Sequence, residues 1–214
     1  MESESKAIVG SVIVSVGTIT AAIGSTPSNY IKSNVRDDLT LVGNVLQATG
    51  NGIDAEAKGT FLRSVGKEIT ASGNLTVITG LVFDIRKEAS YKLFIAGNLI
   101  QALGLAVNFG DAIDLPPFPG QSENIVGSIT QIIGNSLQAI GWTEALENIR
   151  KDENDNKNKQ KKSGYYYEDY FKKNNVQQFE LLVATGSWIQ AIGSVISVIG
   201  AIKESTQDNK VERK

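Results

Sequence analysis

Glycine recurs in this chain on a seven-residue beat. Eighteen of the 21 glycines fall in runs spaced by seven: Gly10, Gly17, Gly24; Gly43, Gly50; Gly59, Gly66, Gly73, Gly80; Gly97, Gly104; Gly120, Gly127, Gly134, Gly141; and Gly186, Gly193, Gly200. A flexible linker has no such period, and collagen needs glycine at every third residue. A seven-residue period belongs to helices that wind around neighbours with a left-handed supercoil. The residues between the glycines agree. Three places after a glycine stand Ile13, Leu46, Ile69, Ile100, Leu137 and Ile189, and six places after stand Val16, Ile23, Leu103, Ile133, Ile140 and Ile192. Positions 0, 3 and 6 share one broad helix face, which reads as the packed one.

Glycine inside a helix costs roughly 1 kcal/mol against alanine. A dozen interior copies would cost about as much as the whole net stability of an ordinary domain. Close approach is the offsetting gain. Without a Cβ, a neighbouring backbone can sit nearer than the usual ~8–10 Å between axes. The expected fold is therefore all-α, a bundle of about six helices packed through glycine seams. Gly10, Gly17, Gly43, Gly66, Gly73, Gly97, Gly104, Gly127, Gly134, Gly186 and Gly193 are the expected seam residues.

A second pattern rides on the first. The block G-[NS]-x-[IL]-Q-A occurs as GNVLQA at 43, GNLIQA at 97, GNSLQA at 134 and GSWIQA at 186. Its glutamines are Gln47, Gln101, Gln138 and Gln190, and Gln131 occupies the matching place after Gly127. Four copies mark an internal repeat of a helix with loops of unequal length. The spacing of the copies suggests a duplication, about 1–115 and 120–214, inside a single helical domain over 1–214. The glutamines have two readings. They line a polar pore or ligand channel, or they border the seam and hydrogen-bond across it or to water. The second is favoured.

Prolines mark the joints, at Pro27 and in the run Pro116, Pro117, Pro119, and none interrupts a glycine run. Helices are expected at roughly 5–24, 29–50, 54–83, 86–109, 122–150 and 168–206, with Asp54 and Ser122 as N-caps. The wholly polar stretch 151–164 is expected to be a mobile loop, into which the preceding helix can extend. The tyrosine-rich YYYEDYF at 165–171 reads as cover for one end of the core, with a contact patch or an interfacial membrane anchor as the alternatives, and the last ten residues read as a fraying tail.

The glycine heptads with their GNxIQA-type blocks resemble a poorly characterised family of small, repetitive helical proteins from spore-forming Gram-positive bacteria. The resemblance covers most of the chain and implies an all-helical repetitive protein. It carries over no activity and no functional residues.

Several functions are excluded. The chain has neither Cys nor His, which removes disulfides, Cys/His zinc sites and nucleophile–base pairs built on those residues. A net charge of −2 gives no electrostatic reason to bind nucleic acid. Asp152, Asn154 and Asn156 imitate a calcium loop, but Lys157 and Ser163 stand where its glycine and bidentate glutamate belong. No cofactor or metal is expected. The place to look for catalysis is the joint carrying Asp111 and Asp114, which reads more simply as a polar proline-rich turn. Uncharged runs at 7–31, 93–110, 124–143 and 181–202 are long enough to span a bilayer. Their many amides and hydroxyls, with only 7% aromatic residues, argue for a soluble bundle instead. The acid-rich start MESESK lacks the features of a secretory signal. The expectation is a cytoplasmic, non-enzymatic bundle that associates with itself. The alternative is a soluble protein that inserts its least polar helices into a membrane.

Overall fold

Each helix carries its own run of seven-spaced glycines. In a computed structural model that describes residues 3–159 and 178–211, the elements are α1 (Ser3–Ser25), α2 (Ser33–Ala55), α3 (Phe61–Val82), α4 (Lys87–Asp114), α5 (Gln121–Lys159) and α6 (Gln178–Val211). The joint after α1 holds Pro27. The joint after α4 holds the three clustered prolines and ends at Gly120, whose φ of 89° suits a residue without a Cβ. Among the described residues the fold is an all-α bundle of six closely packed helices with no strand.

Several boundaries differ from those read in the sequence. Asp54 is not an N-cap; it lies in the last turn of α2, and the helix break follows it. The N-cap of α3 is Thr60, whose hydroxyl accepts a hydrogen bond from the Arg63 amide at 3.0 Å. Ser122 is the second residue of α5 rather than its cap. α5 runs on through Lys159, so residues 151–159 of the expected loop are helical. Residues 160–164 and the YYYEDYF cluster lie outside the described residues.

The helices pair as three antiparallel hairpins, α1–α2, α3–α4 and α5–α6, and the hairpins close into a ring through α2–α3, α4–α5 and α6–α1. Among the described residues no other pair of helices packs, so the ring encloses an axis. Inside each hairpin, glycines face glycines. A Cβ placed on Gly10 would lie 2.6 Å from the Gly50 carbonyl oxygen, and one on Gly17 would lie 2.7 Å from that of Gly43. The same holds for Gly73 against Gly97 at 2.6 Å, Gly104 against Gly66 at 2.5 Å, Gly127 against Gly193 at 2.8 Å and Gly134 against Gly186 at 2.6 Å. No real side chain sits that close to a backbone. Facing glycines keep a constant sum of residue numbers within each hairpin, which is what an antiparallel seven-residue register requires. The halves 1–115 and 120–214 hold two hairpins and one.

Much of the stripe facing the axis is polar, and many large apolar side chains lie on the outside. The apolar residues six places after the glycines, read as part of the packed face, point outward: Val16, Leu103, Ile133, Ile140 and Ile192 are all exposed. The stripe that faces the axis is the glycine with the residues one and four places after it. Ser11, Thr18, Asn44, Asn74, Asn98, Asn135, Ser187 and Ser194 are buried, and so are Gln47, Gln101, Gln131, Gln138 and Gln190. Burial of such groups is tolerable only with hydrogen bonds. The helices supply many of them from their own carbonyls four residues back: Asn44 donates to Thr40, Asn51 to Gln47, Asn98 to Phe94 and Asn135 to Gln131. A purely apolar cluster exists, but only towards one end, where Val77, Tyr91, Phe94, Ala145 and Leu146 pack together.

Candidate functional site: a polar axis between two cavities

The four GNxIQA blocks converge. Gln190 on α6 reaches across the axis, and its amide nitrogen donates to Gln47 of α2 at 3.0 Å and to Gln101 of α4 at 3.2 Å. Gln138 of α5 donates to the Gln190 carbonyl oxygen at 2.9 Å. Ser187 lies 3.1 Å from the Gln138 carbonyl oxygen and 3.1 Å from Ser25 of α1. Glutamine is suited to this position because one carboxamide both donates twice and accepts, so four of them can link helices that share no backbone contact. Gln131 stands apart from the network, one turn or more away, and bonds the Gly127 carbonyl and the Ser197 hydroxyl.

The network floors a cavity of about 550 Å³ that opens at the end where α1 stops and α2 starts. Tyr91, Phe94, Trp142 and Phe179 form one of its walls, with Trp142 at 4.8 Å and 5.1 Å from the Phe94 and Tyr91 ring centres. Arg36, Asp37, Lys87 and Glu180 stand around it, two cations and two anions. At the other end lies a smaller cavity of about 200 Å³, bordered by Asp54, Arg63, Asn108, Asp111, Gln131 and Glu204. Between the two levels, Thr18 and Ser194 are hydrogen-bonded at 2.7 Å. Asn74 is fully buried there, with neither atom of its carboxamide bonded to protein, and the Asn135 oxygen is likewise unpartnered. Buried polar groups without protein partners are the ordinary places for internal water.

The smaller cavity is closed by ions. The Asp54 carboxylate, with no side-chain exposure, pairs with Lys67 at 2.6 Å and Arg63 at 3.2 Å, and Arg63 continues to Glu204 at 3.0 Å. Three helices, α2, α3 and α6, are tied by this cluster. Burial alone would raise the Asp54 carboxyl, but Lys67 and Arg63 outweigh it and hold the group below the ordinary carboxylate range. Asp111 is buried beside it and accepts from the Thr60 hydroxyl at 2.7 Å, whereas Asp114 is exposed. The two carboxylates singled out for catalysis are therefore not buried together.

Sequence reasoning isolated the glutamines but missed the partners that make a site of them. The asparagine one place after the glycine falls on the same helix face as the glutamine three residues later, a spacing that was readable as one polar stripe. The Asp54 cluster and the aromatic wall join residues from different helices, and nothing in their local spacing announces them.

Residues 5–198 match the model of one protein family, described as "Family of unknown function (DUF6944)". No curated protein matches the chain. No solved structure matches it.

Proposed function

We propose that this chain, which belongs to the family of unknown function DUF6944, works embedded in a membrane, as a non-enzymatic helical bundle with a polar axis. One observation carries the reading: the apolar side chains form an outer girdle and the amides lie inside. Every helix contributes to the girdle, α3 the least, since Glu68, Ser72 and Thr79 share its exposed face with Leu75. It includes Val12 and Ile19 on α1, Val42 and Val45 on α2, Leu75 on α3, Leu99 and Leu103 on α4, Ile129 and Ile133 on α5, and Ile192 and Ile199 on α6. Charged residues bound it at both ends, among them Lys6, Glu56, Glu68 and Lys203 at one and Asp38, Lys92, Glu147 and Arg150 at the other. Exposed apolar patches larger than a few hundred Å² mark surfaces that a partner or lipid covers. A two-fold partner would cover one side of it, whereas lipid covers all of it.

The sequence-based objection to a membrane was the number of amides and hydroxyls in the uncharged runs. Most of those groups face the axis, where many bond one another or the helix carbonyls, as polar groups at membrane depth must. Three helices, over Ser5–Ser25, Lys87–Asp114 and Gln178–Thr206, are long and apolar enough to cross a bilayer by themselves. α2 and α3 have shorter uncharged centres, 39–53 and 69–83. At ~1.5 Å per residue these reach about 22 Å, less than the ~30 Å of an average hydrocarbon layer. The bilayer must thin beside them.

Vesicle flotation and alkaline carbonate extraction test the reading. The protein should float with vesicles, resist extraction, and melt at a higher temperature in short-chain than in long-chain lipid. A detergent-free protein that stays in the aqueous layer as a monomer overturns the proposal. A detergent-free, defined oligomer would instead assign the girdle to contacts between copies.

A further inference from the structure

We infer that the 550 Å³ cavity is a binding site for an uncharged polyhydroxy compound, of the chemistry of a sugar or polyol. Its volume falls in the usual range for small-molecule sites. Three features of its surface define the ligand.

The first is the floor. Gln47 and Gln101 accept from Gln190 through their carbonyl oxygens, and among the described residues no hydrogen bond from their amide nitrogens to the protein is seen. Asn44 and Asn98 spend their amide nitrogens on helix carbonyls, and among the described residues no hydrogen bond to their carbonyl oxygens is seen. All four are more than nine-tenths buried and border the cavity. Each helix therefore presents one free acceptor and one free donor, three residues apart, and the arrangement occurs twice, on α2 and on α4. A hydroxyl group both donates and accepts, so it satisfies such a pair. A ligand carrying several hydroxyls satisfies both.

The second feature is the wall. Tyr91, Phe94 and Trp142 meet at tilts of 38° to 52°, which makes a concave apolar surface rather than a flat slot. A puckered ring with C–H groups on its face fits a concave surface better than a planar base, which needs a parallel platform. The third is charge. The floor carries none, and the four charged side chains described around the cavity are two cations and two anions, so among the described residues no sign of charge is favoured.

The site is formed within one chain and does not depend on the surrounding lipid, so it is tested separately from the membrane reading. The chain has two tryptophans. Trp188 lies on the outer face, outside the cavity. Trp188→Phe leaves Trp142 as the sole reporter. Purified in a sugar-free detergent, this protein should show a saturable change in Trp142 emission with glucose and maltose and a much weaker one with gluconate. Gln101→Leu should weaken the response about tenfold, the effect of losing one buried hydrogen-bond donor. Asn98→Ser shortens the acceptor without touching the glutamine network, so it keeps the test informative if Gln101→Leu does not fold. It should weaken binding by a smaller factor. The inference is overturned by no saturable change with either sugar up to about 100 mM, by a stronger response to adenosine than to both sugars, or by unchanged binding in both variants. Flotation that fails while sugar binding persists would remove the membrane reading and leave the site.

Discussion

The contacts within the hairpins and those between them are made in different ways. Inside a hairpin the backbones touch: Gly43 and Gly17, or Gly134 and Gly186, leave no room for a single methyl group. Between hairpins, side chains do the joining. α2 meets α3 through the Asp54 ion cluster, α6 meets α1 through Thr18–Ser194 and Trp188–Thr26, and α4 meets α5 through rings and the Arg150–Glu88 pair. The difference teaches where the structure can move. A backbone seam has one geometry and fails abruptly when spaced apart. Side-chain joints can be exchanged one rotamer at a time. If the axis ever widens, the hairpins are the bodies that shift and the joints between them are the hinges.

The largest expected effect comes from the ionic joint. Asp54→Asn keeps the shape but removes the charge that Lys67 and Arg63 share, leaving Lys67 without its carboxylate and Arg63 with Glu204 alone. Breaking such a pair typically costs about 3–5 kcal/mol. Equilibrium unfolding should show a loss of that order, and amide exchange should rise along the α2–α3 boundary while the α1–α2 seam keeps its protection. Exchange rising equally in both places would mean that seams and joints are one cooperative unit. Acid should imitate the substitution. The folded-state pKa of Asp54 is lowered, so its contribution is fully present above the ordinary aspartate pKa of about 3.9 and is lost as pH falls through the folded value. The variant should therefore lose less stability than the parent between pH 5 and the acid limit. Equal acid sensitivity would assign the loss to other carboxylates.

A seam substitution comes next. A Cβ on Gly134 would lie 2.6 Å from both the Gln190 amide nitrogen and the Gly186 carbonyl oxygen. Backbone on both sides cannot rotate away, so Gly134→Ala has to push α5 from α6. Overpacking of this kind costs roughly 1–3 kcal/mol, net of the gain in helix propensity. Thermal melts should show the drop, and Gly193→Ala should match it, because its Cβ would meet Gln131 and Gly127 in the same way at 2.8 Å. Unchanged melting in both variants would end the close-packing account of the seams.

How much of this was legible in the sequence follows from the same comparison. Backbone seams are periodic, so Gly10, Gly17, Gly43 and their counterparts stand out from spacing alone, and with them the number of helices. The joints are not periodic. Asp54 looked like a helix start because aspartate is a favoured N-cap residue, while the cap actually lay at Thr60, before the run Phe61–Leu62–Arg63. Periodicity also names a face without saying what lies outside it. Val16, Ile133 and Ile192 were read as core because apolar residues in water turn inward. The same heptad is equally consistent with apolar residues turned outward, and only the position of Asn74, Asn135 and the glutamines on the axis distinguishes the two. Of the site, the four repeated glutamines were visible as a set, but their meeting point was not, since it depends on three hairpins closing into a ring.

The smallest effect should have the opposite sign. Gly52 in α2 and Gly110 in α4 lie inside helices but off the seam register, and a Cβ on either meets nothing within 4 Å. If glycine is required only where backbones touch, these two carry the conformational cost of glycine with none of the packing gain. Gly52→Ala and Gly110→Ala should then each stabilise the protein by up to about 1 kcal/mol, the difference in helix propensity together with the restricted unfolded chain. Their effects should add, because the two positions share no neighbour. Destabilisation by either would show that the outer surface at that point is covered, by lipid packed against the bare backbone or by another copy. Comparing the two melts in detergent and in vesicles would say which. A gain in detergent that disappears in vesicles points to lipid, and a loss that follows protein concentration points to a second copy.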